Sequence, residues 1–520
     1  MHLFSTLFTA QTVGKDFYSD DEIRKAIAWC KASRLQKVYV ESFRNGLFVE
    51  QRQLEKVRDL FEEEGFLVHG CVTTTGLPRS SNVGGMDVGC YSAPETREKM
   101  TEIFKRTASV FDVVMIDDFL FTTCTCELCD AARGERSFAD YHSDVMHEMS
   151  VENILKPAHE ANPGCKVIIK YPLWYENFHR NGYETVRQTR DFDLIWAGTE
   201  TREPDSRRWG LYPQTQAFFF MNWANKLGGG KCMGGWYDPY TCRPATYLEQ
   251  ARQTVLAQAR ESMLFCYGSL NVQKEIEKVG IDGYTPGVAN TEALRGERDG
   301  LDRLAYMIEN KTVVGVSVPK KPDDDAKKER YISSIYGLLG IPVNPAVVLE
   351  DQATSVILGP QAAGYRGVRD YLLRMTEKGV PVVCTKGFES MTGYRSAADV
   401  PVIDTSLQGK LPVSGDEADN WNLMQMPEAE LSALRDYLTR PLGLTLRAPT
   451  RVALNLYDDD LEVLQNFNDF DVQVELDLFG RNRKTRAVKL VLSEGRRVSL
   501  AREATRYRIT LPARTLAVLN

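Results

Sequence analysis

What the sequence lacks excludes several classes of protein. It has no apolar stretch near the ~18 residues of a transmembrane helix. Its net charge is −7 and it has no long basic block, so we expect neither a membrane nor a nucleic acid as partner. The G-x-S-x-G motif of esterases is absent, and the glycines before Lys231 lack the spacing of a phosphate-binding loop. No histidine follows His179, which excludes a Cys-His pair at Cys384.

The cysteine content and the first residues bear on the cellular compartment. The chain has 11 cysteines, which lie mostly in apolar segments. An odd number in such segments indicates free buried thiols and one metal cluster rather than a disulfide framework. The first residues lack the basic region and the small-residue cleavage site of a signal peptide. We therefore expect a cytoplasmic protein, or a periplasmic one if a signal peptide has been removed.

The alternation of apolar runs and helical patterns predicts the main fold. With 520 residues, the chain is too long for a single core. Over residues 1–302, eight β units separated by helices predict a closed α/β barrel of the (β/α)8 (TIM) type, with its active site at the carboxyl ends of the strands. The eight predicted strands are Leu3–Val13, Lys37–Phe43, Phe66–Thr75, Val113–Phe119, Lys166–Pro172, Phe192–Gly198, Gln216–Trp223 and Met263–Leu270.

The remaining sequence predicts two smaller domains. Over residues 303–443, strand-like runs such as Thr312–Val316 alternate with helices such as Tyr365–Lys378, which is typical of a doubly wound α/β domain. Residues 444–520 alternate apolar and polar positions and predict a small antiparallel β domain. Its predicted strands are Arg451–Tyr457, Asp471–Leu478, Arg486–Leu492, Arg506–Leu511 and Thr515–Leu519.

A cluster of cysteines follows predicted strand four. Cys124, Cys126 and Cys129 have a spacing at which three thiolates can bind one tetrahedral zinc ion. Cys90, before the helix that leads into strand four, and Cys71, at the end of strand three, are both candidates for the fourth ligand. Four cysteine ligands leave no open position, so such a zinc ion would be structural.

Carboxylates at the strand ends predict the chemistry. Asp117 and Asp118 end strand four, and since successive side chains of a strand point to opposite faces, only one of them is expected to face the barrel axis. Glycoside hydrolysis needs two carboxyl groups across the scissile bond. The candidate partners are Glu200 after strand six and Asp238 after predicted strand seven, with Glu41 at the end of strand two as a weaker third.

Aromatic and polar side chains near the same strand ends are typical of a sugar site. Sugar rings stack on aromatic planes while polar groups bind their hydroxyls, and such residues cluster at the carboxyl face of a barrel. We expect Trp196, inside strand six, to belong to the core. The predicted substrate-binding residues are Glu41, Arg44, Lys170, Tyr171, Trp174, Arg202, Asn222, Trp223, Trp236 and Tyr237.

These features resemble the glycoside hydrolase family 42 β-galactosidases. In that family a barrel is followed by a flavodoxin-like trimerisation domain, related to amidotransferase folds, and by a small β domain. Its zinc cluster has one cysteine before the helix preceding strand four and Cys-x-Cys-x-x-Cys after that strand. Cys90 with Cys124, Cys126 and Cys129 match this pattern, so the resemblance implies Cys90 rather than Cys71 as the fourth zinc ligand. It also implies a homotrimer without an organic cofactor.

The catalytic positions depart from the family pattern. The family has an Asn-Glu pair after strand four, where this chain has Asp117-Asp118. The family nucleophile is a glutamate after strand seven in a Phe-x-x-Met-Glu context. Here Phe218-Phe219-Phe220-Met221 leads to Asn222, an amide that cannot serve as a carboxylate nucleophile. The chain is therefore expected to belong to a separate, distantly related glycosidase family.

The leading hypothesis is a glycoside hydrolase acting on a carbohydrate substrate. Asp118 would be the general acid, Glu200 or Asp238 the nucleophile or general base, and Asp117 would orient the site. A barrel that binds carbohydrate without hydrolysing it is the alternative, motivated by Asn222 at the expected nucleophile position. A sugar-modifying lyase or isomerase is a third hypothesis.

Overall fold

The protein is described by a computed structural model, which covers residues 2–83, 86–204, 212–271, 286–325, 329–395, 402–403, 421–482, 486–492 and 495–520. Within these ranges, no helix combines the length and the apolar character needed to cross a bilayer. The chain divides into two compact units. They are Met1–Arg208 with Ala224–Thr254 and Ala259–Arg295, and Trp209–Trp223 with Val255–Gln258 and Gly296–Asn520.

A closed barrel forms the first unit. Its strands are β1 (Leu3–Phe8), β2 (Lys37–Arg44), β3 (Leu67–Val72), β4 (Val113–Ile116), β5 (Lys166–Tyr171), β6 (Leu194–Gly198), β7 (Cys232–Tyr237) and β8 (Glu261–Leu264). In the described part of the chain these eight strands are parallel and hydrogen-bonded in chain order, and β1 pairs with both β2 and β8, which closes the sheet. The predicted (β/α)8 barrel is confirmed.

Helices alternate with these strands. The first begins after Ser19, whose hydroxyl accepts a hydrogen bond from the Glu22 N–H, an ordinary N-cap. The second buries Leu54, Val57 and Phe61 on one face, as expected for an amphipathic helix that covers a sheet. The helices of residues 1–308 are Asp20–Ala32, Gln51–Glu63, Pro94–Ala108, Glu127–Arg133, Phe138–Ser150, Lys156–Ala161, Thr185–Asp191, Gln216–Leu227, Pro244–Leu256, Tyr267–Leu270 and Gly287–Ile308, with shorter turns at Thr12–Asp16, Val151–Leu155 and Tyr175–Asn177.

Each strand contributes one side chain to an interior layer of the barrel. This layer consists of Leu7, Tyr39, Cys71, Met115, Ile168, Trp196, Trp236 and Met263, and Phe265 and Cys266 pack in the same buried cluster. Side chains of a strand alternate between its faces, so residues two positions further along also point inward. The layer therefore fixes which residues face the axis at the carboxyl ends of the strands. Trp196 lies in the core, as the sequence predicts, and so does Cys71.

The predicted position of strand seven is wrong. Gln216–Trp223 lies in the helix Gln216–Leu227, and β7 is Cys232–Tyr237. A short run of apolar residues fits a buried helix as well as a buried strand, and all of Gln216–Trp223 is buried. The true strand contains Gly234 and Gly235, which weaken a strand signal. Space requires both glycines, because a Cβ at Gly234 would lie 2.6 Å from the Trp196 ring and a Cβ at Gly235 would lie 2.5 Å from the Thr254 side chain.

The second unit contains a five-stranded parallel sheet within its described residues. The strands in spatial order are Val343–Ala346, Val316–Pro319, Val356–Leu358, Val382–Thr385 and Val402–Ile403. In chain order this is 2-1-3-4-5, an order known from doubly wound sheets. Its helices are Ile332–Leu338, Val368–Glu377 and Lys386–Thr392. The flavodoxin-like assignment and the domain boundaries at residues 302 and 443 stay predictions.

Two antiparallel sheets complete the second unit. One consists of Val313–Val314, Val452–Tyr457, Leu461–Asn466, Leu516–Leu519 and Val488–Leu492, and the other of Thr445–Arg447, Val472–Asp477, Arg506–Leu511 and Ser499–Glu503. Side chains of both, such as Leu454 and Ile509, share one apolar core. The helix Glu428–Thr439 lies before the strand Thr445–Arg447 in the chain. The predicted strand Thr312–Val316 is split, because Val313–Val314 pairs with Leu456 and Tyr457 while the parallel strand begins at Val316.

Candidate active site

Polar side chains gather at the carboxyl ends of the barrel strands. Glu41, Asp117 and Lys170 each lie two residues beyond a member of the interior layer, so strand alternation turns them towards the barrel axis. All three are almost completely buried. Buried charges are stable only when they are paired or hydrogen-bonded. Their contacts therefore decide what this part of the barrel can do.

Asp117 is held in its ionised form by several donors. Its Oδ2 accepts from Arg44 Nη2 at 2.8 Å and lies 3.0 Å from the hydroxyl oxygen of Thr73. Its Oδ1 accepts from the backbone N–H of Asp118 at 2.7 Å. Burial alone would raise the pKa of Asp117, but the positive charges of Lys170 and Arg44 outweigh this effect and hold the pKa below its ordinary value. Asp117 is thus a fixed anion.

Glu41 is bound on both carboxylate oxygens. Oε1 accepts from the Thr73 hydroxyl at 2.5 Å, and Oε2 accepts from the Ala10 N–H at 2.7 Å. Arg44 Nε lies 3.0 and 2.8 Å from the two oxygens. Glu41 and Asp117 therefore share Arg44 and Thr73 and form one rigid network. The prediction that Glu41 and Arg44 bind substrate stays a prediction, but both groups already hold each other in place.

Lys170 lies at the centre of a second group of carboxylates. Its Nζ donates to Asp118 Oδ2 at 2.9 Å and lies 3.7 Å from Asp117 Oδ1 and 3.8 Å from Glu200 Oε1. The ring of Trp236 is 4.2 Å from the same Nζ, a cation–π contact. Burial would lower the pKa of Lys170, but the surrounding carboxylates raise it above its ordinary value. Lys170 is a buried, permanently charged ammonium.

Asp118 and Glu200 differ from Asp117 in their ionisation. Burial raises the pKa of Asp118 well above its usual range, and repulsion by Asp117 and Glu200 adds to this while Lys170 opposes it. Burial also raises the pKa of Glu200, against the opposing charges of Lys170 and Arg202. Glu200 Oε2 is buried and accepts no hydrogen bond from any described residue. It is the natural place for a substrate group to bind.

The carboxylate of Glu200 folds back over the end of β6. A Cβ at Gly198 would lie 2.6 Å from Glu200 Oε2 and 2.7 Å from the backbone nitrogen of Leu173. Because the second atom belongs to the backbone, a side chain could not be accommodated by a simple rotation of Glu200. Gly198 therefore provides the space in which this carboxylate lies.

Asp238 follows β7 and is engaged by an arginine. Arg202 Nε donates to Oδ1 at 2.9 Å and Nη2 donates to Oδ2 at 2.6 Å, a bidentate pair. Gln250 connects the two residues, since its Oε1 accepts from the Arg202 N–H and its Nε2 donates to the Asp238 carbonyl. Asp238 thus lies at the end of β7, and it is as deeply buried as Glu200, with 3% exposure each.

A chain of hydrogen bonds connects Trp174 to the candidate acid. The Tyr183 hydroxyl donates to the Asp118 carbonyl at 2.6 Å, and the Trp174 side chain hydrogen-bonds that hydroxyl. Trp174 is half-buried, so part of its ring is available to a ligand. Trp236 belongs to β7 and not to a rim loop, and it stacks on Phe265 with ring centroids 4.8 Å apart.

Two of the predicted aromatic residues do not line the site. Tyr171 directly follows the inward-facing Lys170, and its hydroxyl contacts Thr189 at 3.0 Å. Tyr237 follows Trp236, and its ring contacts Tyr247 of the helix Pro244–Leu256. The prediction for Tyr171 and Tyr237 is wrong because each side chain points to the outer face of its strand, one residue out of phase with the axis.

The prediction for Asn222 and Trp223 is also wrong. Both lie in the helix Gln216–Leu227 and not at the end of strand seven. Asn222 Nδ2 donates to the Phe218 carbonyl at 2.9 Å, one helical turn earlier. The Trp223 indole N–H donates to the Lys320 carbonyl at 2.9 Å. These side chains are bound within the second unit, so the amide at position 222 says nothing about the nucleophile.

Four cysteines converge near the end of β4. The sulfur atoms of Cys90, Cys124, Cys126 and Cys129 all lie within 4.8 Å of one another. Cys90 Sγ is 3.6 Å from Cys126 Sγ and 3.7 Å from Cys129 Sγ. Four thiolates at ~2.3 Å from a tetrahedral zinc ion would have sulfur–sulfur distances of about 3.8 Å. The residues therefore fit such a metal, and Cys71, in the barrel core, is excluded from the cluster.

Some residues of the site were not predicted. Thr73, Tyr183 and Phe265 contact its charged groups or aromatic rings, and Gly198 gives Glu200 its space. Thr73 and Phe265 do follow strand ends, at β3 and β8, which is a usable signal. Nothing in the sequence marks Tyr183 or Gly198.

The family of the chain follows from residues 1–285. They match the family described as "Probable glycosyl hydrolase, catalytic domain". The chain belongs to this family. The barrel and the buried carboxyl groups at its strand ends lie within the matched region, and the predicted relationship to the barrel glycosidases is confirmed.

Individual relatives are distant. An uncharacterized protein of Saccharolobus solfataricus is 24% identical over 369 residues, which is 64% of this chain and 59% of that protein. The chain thus spans less than two thirds of this curated relative. The apo exo-carrageenase of family GH42 from Bacteroides ovatus has a TM-score of 0.50 at 10% identity, over 100% of this chain and 79% of that one. An exo-β-1,4-mannosidase from Opitutaceae bacterium strain TAV5 has a TM-score of 0.46 at 12% identity, over 76% and 80%. At 10% identity, the likeness to the exo-carrageenase concerns the fold alone.

Proposed function

We propose that this protein is a glycoside hydrolase in which Asp118 is the general acid and Glu200 its catalytic partner. One observation carries the proposal: both carboxyl groups contact the Nζ of Lys170, at 2.9 and 3.8 Å, at the carboxyl end of a barrel. Two carboxyl groups that flank one bond are the usual machinery of glycoside hydrolysis. Membership of the glycosyl hydrolase family supports the same activity.

The difference in ionisation supports this division of roles. The pKa of Asp118 is raised well above its usual range by burial and by two neighbouring carboxylates, which favours the protonated form that a general acid needs. The pKa of Glu200 is also raised by burial, but Lys170 and Arg202 both oppose the rise. With one proton between the two groups, Asp118 carries it and Glu200 carries the charge. Environments that separate two carboxyl pKa values assign acid and base.

The proposed reaction has two steps. The Glu200 carboxylate attacks the anomeric carbon while Asp118 donates its proton to the glycosidic oxygen, and the aglycone leaves as an alcohol. The Asp118 carboxylate then takes a proton from a water molecule, whose oxygen attacks the anomeric carbon and displaces Glu200. The sugar leaves with its original configuration, and both carboxyl groups return to their starting state.

Retention of configuration is proposed from the distances. The Asp118 and Glu200 oxygens nearest to Nζ cannot be further apart than the sum of 2.9 and 3.8 Å. This admits the ~5–5.5 Å separation of retaining enzymes and reaches only the lower end of the ~6.5–9.5 Å separation of inverting ones. Proton NMR of the first product formed would identify its anomer. A product of the opposite anomer would contradict retention.

The remaining predicted residues are proposed to bind and orient the sugar. Asp238 and Arg202 form a rigid pair beside Glu200 and offer both donors and acceptors to hydroxyl groups. Asp117 keeps a negative charge next to the acid and thereby favours its protonated form. Trp174, half-buried and connected to Asp118 through Tyr183, is proposed to stack on the substrate.

The observation that favoured a barrel that binds carbohydrate without catalysis no longer applies. It depended on Asn222 at the nucleophile position, and Asn222 lies in a helix outside the barrel strands. The end of β7 carries Asp238 instead. The alternative therefore remains only as an outcome of the activity screen: binding of a saccharide without turnover at any pH.

The test is a screen of aryl glycosides and natural oligosaccharides with the wild type and with Asp118→Asn. On natural substrates we expect kcat to fall by ~10²–10⁴-fold, the usual contribution of a general acid. On dinitrophenyl glycosides, whose leaving group needs no proton, the loss should be much smaller. Asp112→Asn is the matched control, since Asp112 is exposed just before β4, at the opposite end of the same strand. Equal losses on both substrates would contradict the role of Asp118.

We also propose that the four cysteines hold a structural zinc ion. Their sulfur–sulfur distances support a tetrahedral site with no open position, and the ion would anchor the loop that follows the catalytic end of β4. Metal analysis should find one zinc ion per chain, lost in Cys126→Ser and kept in Cys165→Ser, a buried cysteine outside the cluster. A chain that binds no zinc at excess Zn²⁺ would refute the proposal.

The homotrimer implied by the resemblance to family 42 is kept as a proposal. Light scattering of the purified chain measures its mass in solution. A mass three times the 58.8 kDa of one chain would support the trimer, and a monomer mass would contradict it.

A further inference from the structure

Lys170 is almost completely buried, and other groups of the protein already occupy the space around its ammonium. Its side chain is 1% exposed, and its Nζ is surrounded by Asp118 at 2.9 Å, Asp117 at 3.7 Å and Glu200 at 3.8 Å. The Trp236 ring covers it at 4.2 Å. An ammonium group has three donor hydrogens, and here three carboxyl groups already lie around them.

We propose that Lys170 is a positioning residue, a buried counter-ion that holds Asp118 and Glu200 in one cluster and sets the pH range in which one is protonated and the other charged. The inference rests on the proposed function, because it gives Lys170 a role in that reaction. It replaces the predicted role of Lys170 in binding substrate.

The charges around the cluster explain why one lysine can have this effect. The negative charge of Asp117 is paired with Arg44, whose Nη2 lies 2.8 Å from Asp117 Oδ2. The negative charge of Asp238 is paired with Arg202, whose Nη2 lies 2.6 Å from Asp238 Oδ2. Arg202 and Asp238 also face Glu200 and act on it with opposite signs. Asp118 has Lys170 as the only cation within 4 Å among the residues that the structure describes. Without Lys170, the anionic forms of Asp118 and Glu200 would lose their shared cation.

Loss of that cation should move both ionisations in the same direction. An opposite charge within ~4–6 Å lowers a carboxyl pKa by about 1–3 units. Removing it therefore raises both pKa values. The acidic limb of the pH–activity profile reports ionisation of Glu200 and the basic limb reports ionisation of Asp118. A residue that merely fills space would move neither limb.

The experiment compares Lys170→Met with Lys170→Arg. In Lys170→Met, both limbs of the kcat/KM profile should move to higher pH by about 1–3 units. Lys170→Arg keeps the charge and should keep both limbs near their wild-type positions. If Lys170 bound a substrate hydroxyl instead, Lys170→Met would raise KM and leave the limbs in place, and that result would overturn the inference. Circular dichroism and thermal unfolding establish that each variant is folded.

A second readout separates this inference from the proposed function. Carbon-13 NMR of the labelled side-chain carboxyl groups follows Asp118 and Glu200 directly, whether or not a substrate is known. Asp118→Asn and Glu200→Gln assign the two signals. Raised titration midpoints in Lys170→Met support the counter-ion role even if no glycoside is hydrolysed. Unchanged midpoints refute it even if the protein is an active glycosidase.

Discussion

Two buried clusters of charge in this protein are built in opposite ways. In the second unit, Glu462 is completely buried and each of its oxygens accepts from a different arginine, Oε1 from Arg481 and Oε2 from Arg486. In the barrel, three carboxyl groups lie around the single ammonium group of Lys170. One cluster has an excess of positive partners and the other an excess of negative ones.

We interpret this difference as that between a stabilising cluster and the proposed reactive one. With both oxygens bonded, Glu462 has no capacity left for a ligand. At the barrel, Glu200 Oε2 has no hydrogen-bond partner within the described ranges, and burial together with like charges raises the pKa of Asp118 well above its usual range. Sites that leave a carboxyl group incompletely compensated are typical of catalysis and reduce stability.

The largest effect is expected for Glu200→Gln. The amide cannot attack the anomeric carbon, so kcat should fall by on the order of 10⁴-fold while the fold is kept. Steady-state kinetics on the best substrate of the screen measures the loss. Added azide should restore turnover of an activated glycoside, because the small anion can take the place of the missing carboxylate. Activity within tenfold of the wild type would remove Glu200 from the mechanism.

Glu462→Gln should have the reverse effect. It leaves two buried guanidinium groups without their counter-ion, and breaking a buried pair in this way costs ~3–5 kcal/mol. Denaturant unfolding followed by circular dichroism would show the loss as a lower midpoint for the transition of the second unit. Below the unfolding temperature, kcat should be unchanged. A variant as stable as the wild type would show that Glu462 is not the stabilising cluster described above.

Gly198→Ala tests the space in which Glu200 lies. The added Cβ would meet the Glu200 carboxylate and the Leu173 nitrogen, which displaces the catalytic group. We expect kcat to fall by ~10–10²-fold, as a small displacement of a catalytic group can cause. Gly229→Ala is the control for a glycine-to-alanine change in the same unit, since nothing lies within 4 Å of a Cβ there. Because the φ of Gly229 is +57°, alanine is strained at this position, and we expect a small loss of stability without a loss of kcat. Equal kinetics in both variants would contradict the account.

The smallest effect concerns stability at high pH. The pKa of Asp118 is raised in the folded protein, so protonation of Asp118 stabilises the folded state. This stabilisation is complete at a pH below the pKa of Asp118 in the unfolded chain. It is lost as the pH rises through the pKa of Asp118 in the folded protein. In the wild type, high pH favours unfolding because the Asp118 carboxyl ionises more easily in the unfolded chain. Asp118→Asn has no carboxyl at this position and lacks this loss of stability. At pH 9 the variant should therefore be more stable than the wild type, by about 1 kcal/mol, with a smaller difference at pH 4. Thermal unfolding at both pH values measures this, and a variant less stable at pH 9 would contradict the raised pKa.

The sequence predicts this site through strand ends. Asp117, Asp118, Glu200 and Asp238 all follow barrel strands, because apolar runs mark most of the strands and chemistry in such barrels lies just beyond them. The local spacing also predicts three ligands of the cysteine cluster, Cys124, Cys126 and Cys129, whereas Cys90 is implied only by the resemblance to family 42. These parts depend on short stretches of sequence, which is why they could be predicted.

The rest depends on register and on contacts between distant segments. Lys170 and Tyr171 are adjacent, and only the interior layer of the barrel tells which of them faces the axis. The glycines of β7 weaken the strand pattern in the sequence. They are needed because they leave space for Trp196 and other packed side chains, which the sequence pattern does not reveal. The helix around Asn222 resembles a buried strand because a short, continuously apolar run fits either structure. Such ambiguities are resolved by packing, which the local pattern does not contain.

Trapping the covalent intermediate would show whether Glu200 attacks the sugar while Asp118 donates the proton. A 2-deoxy-2-fluoro glycoside of the best substrate, with a reactive leaving group, should form a covalent adduct that peptide mass spectrometry can locate. We predict the label on Glu200 in the wild type and no label in Glu200→Gln. A label on Asp118 or Asp238 would contradict the assignment.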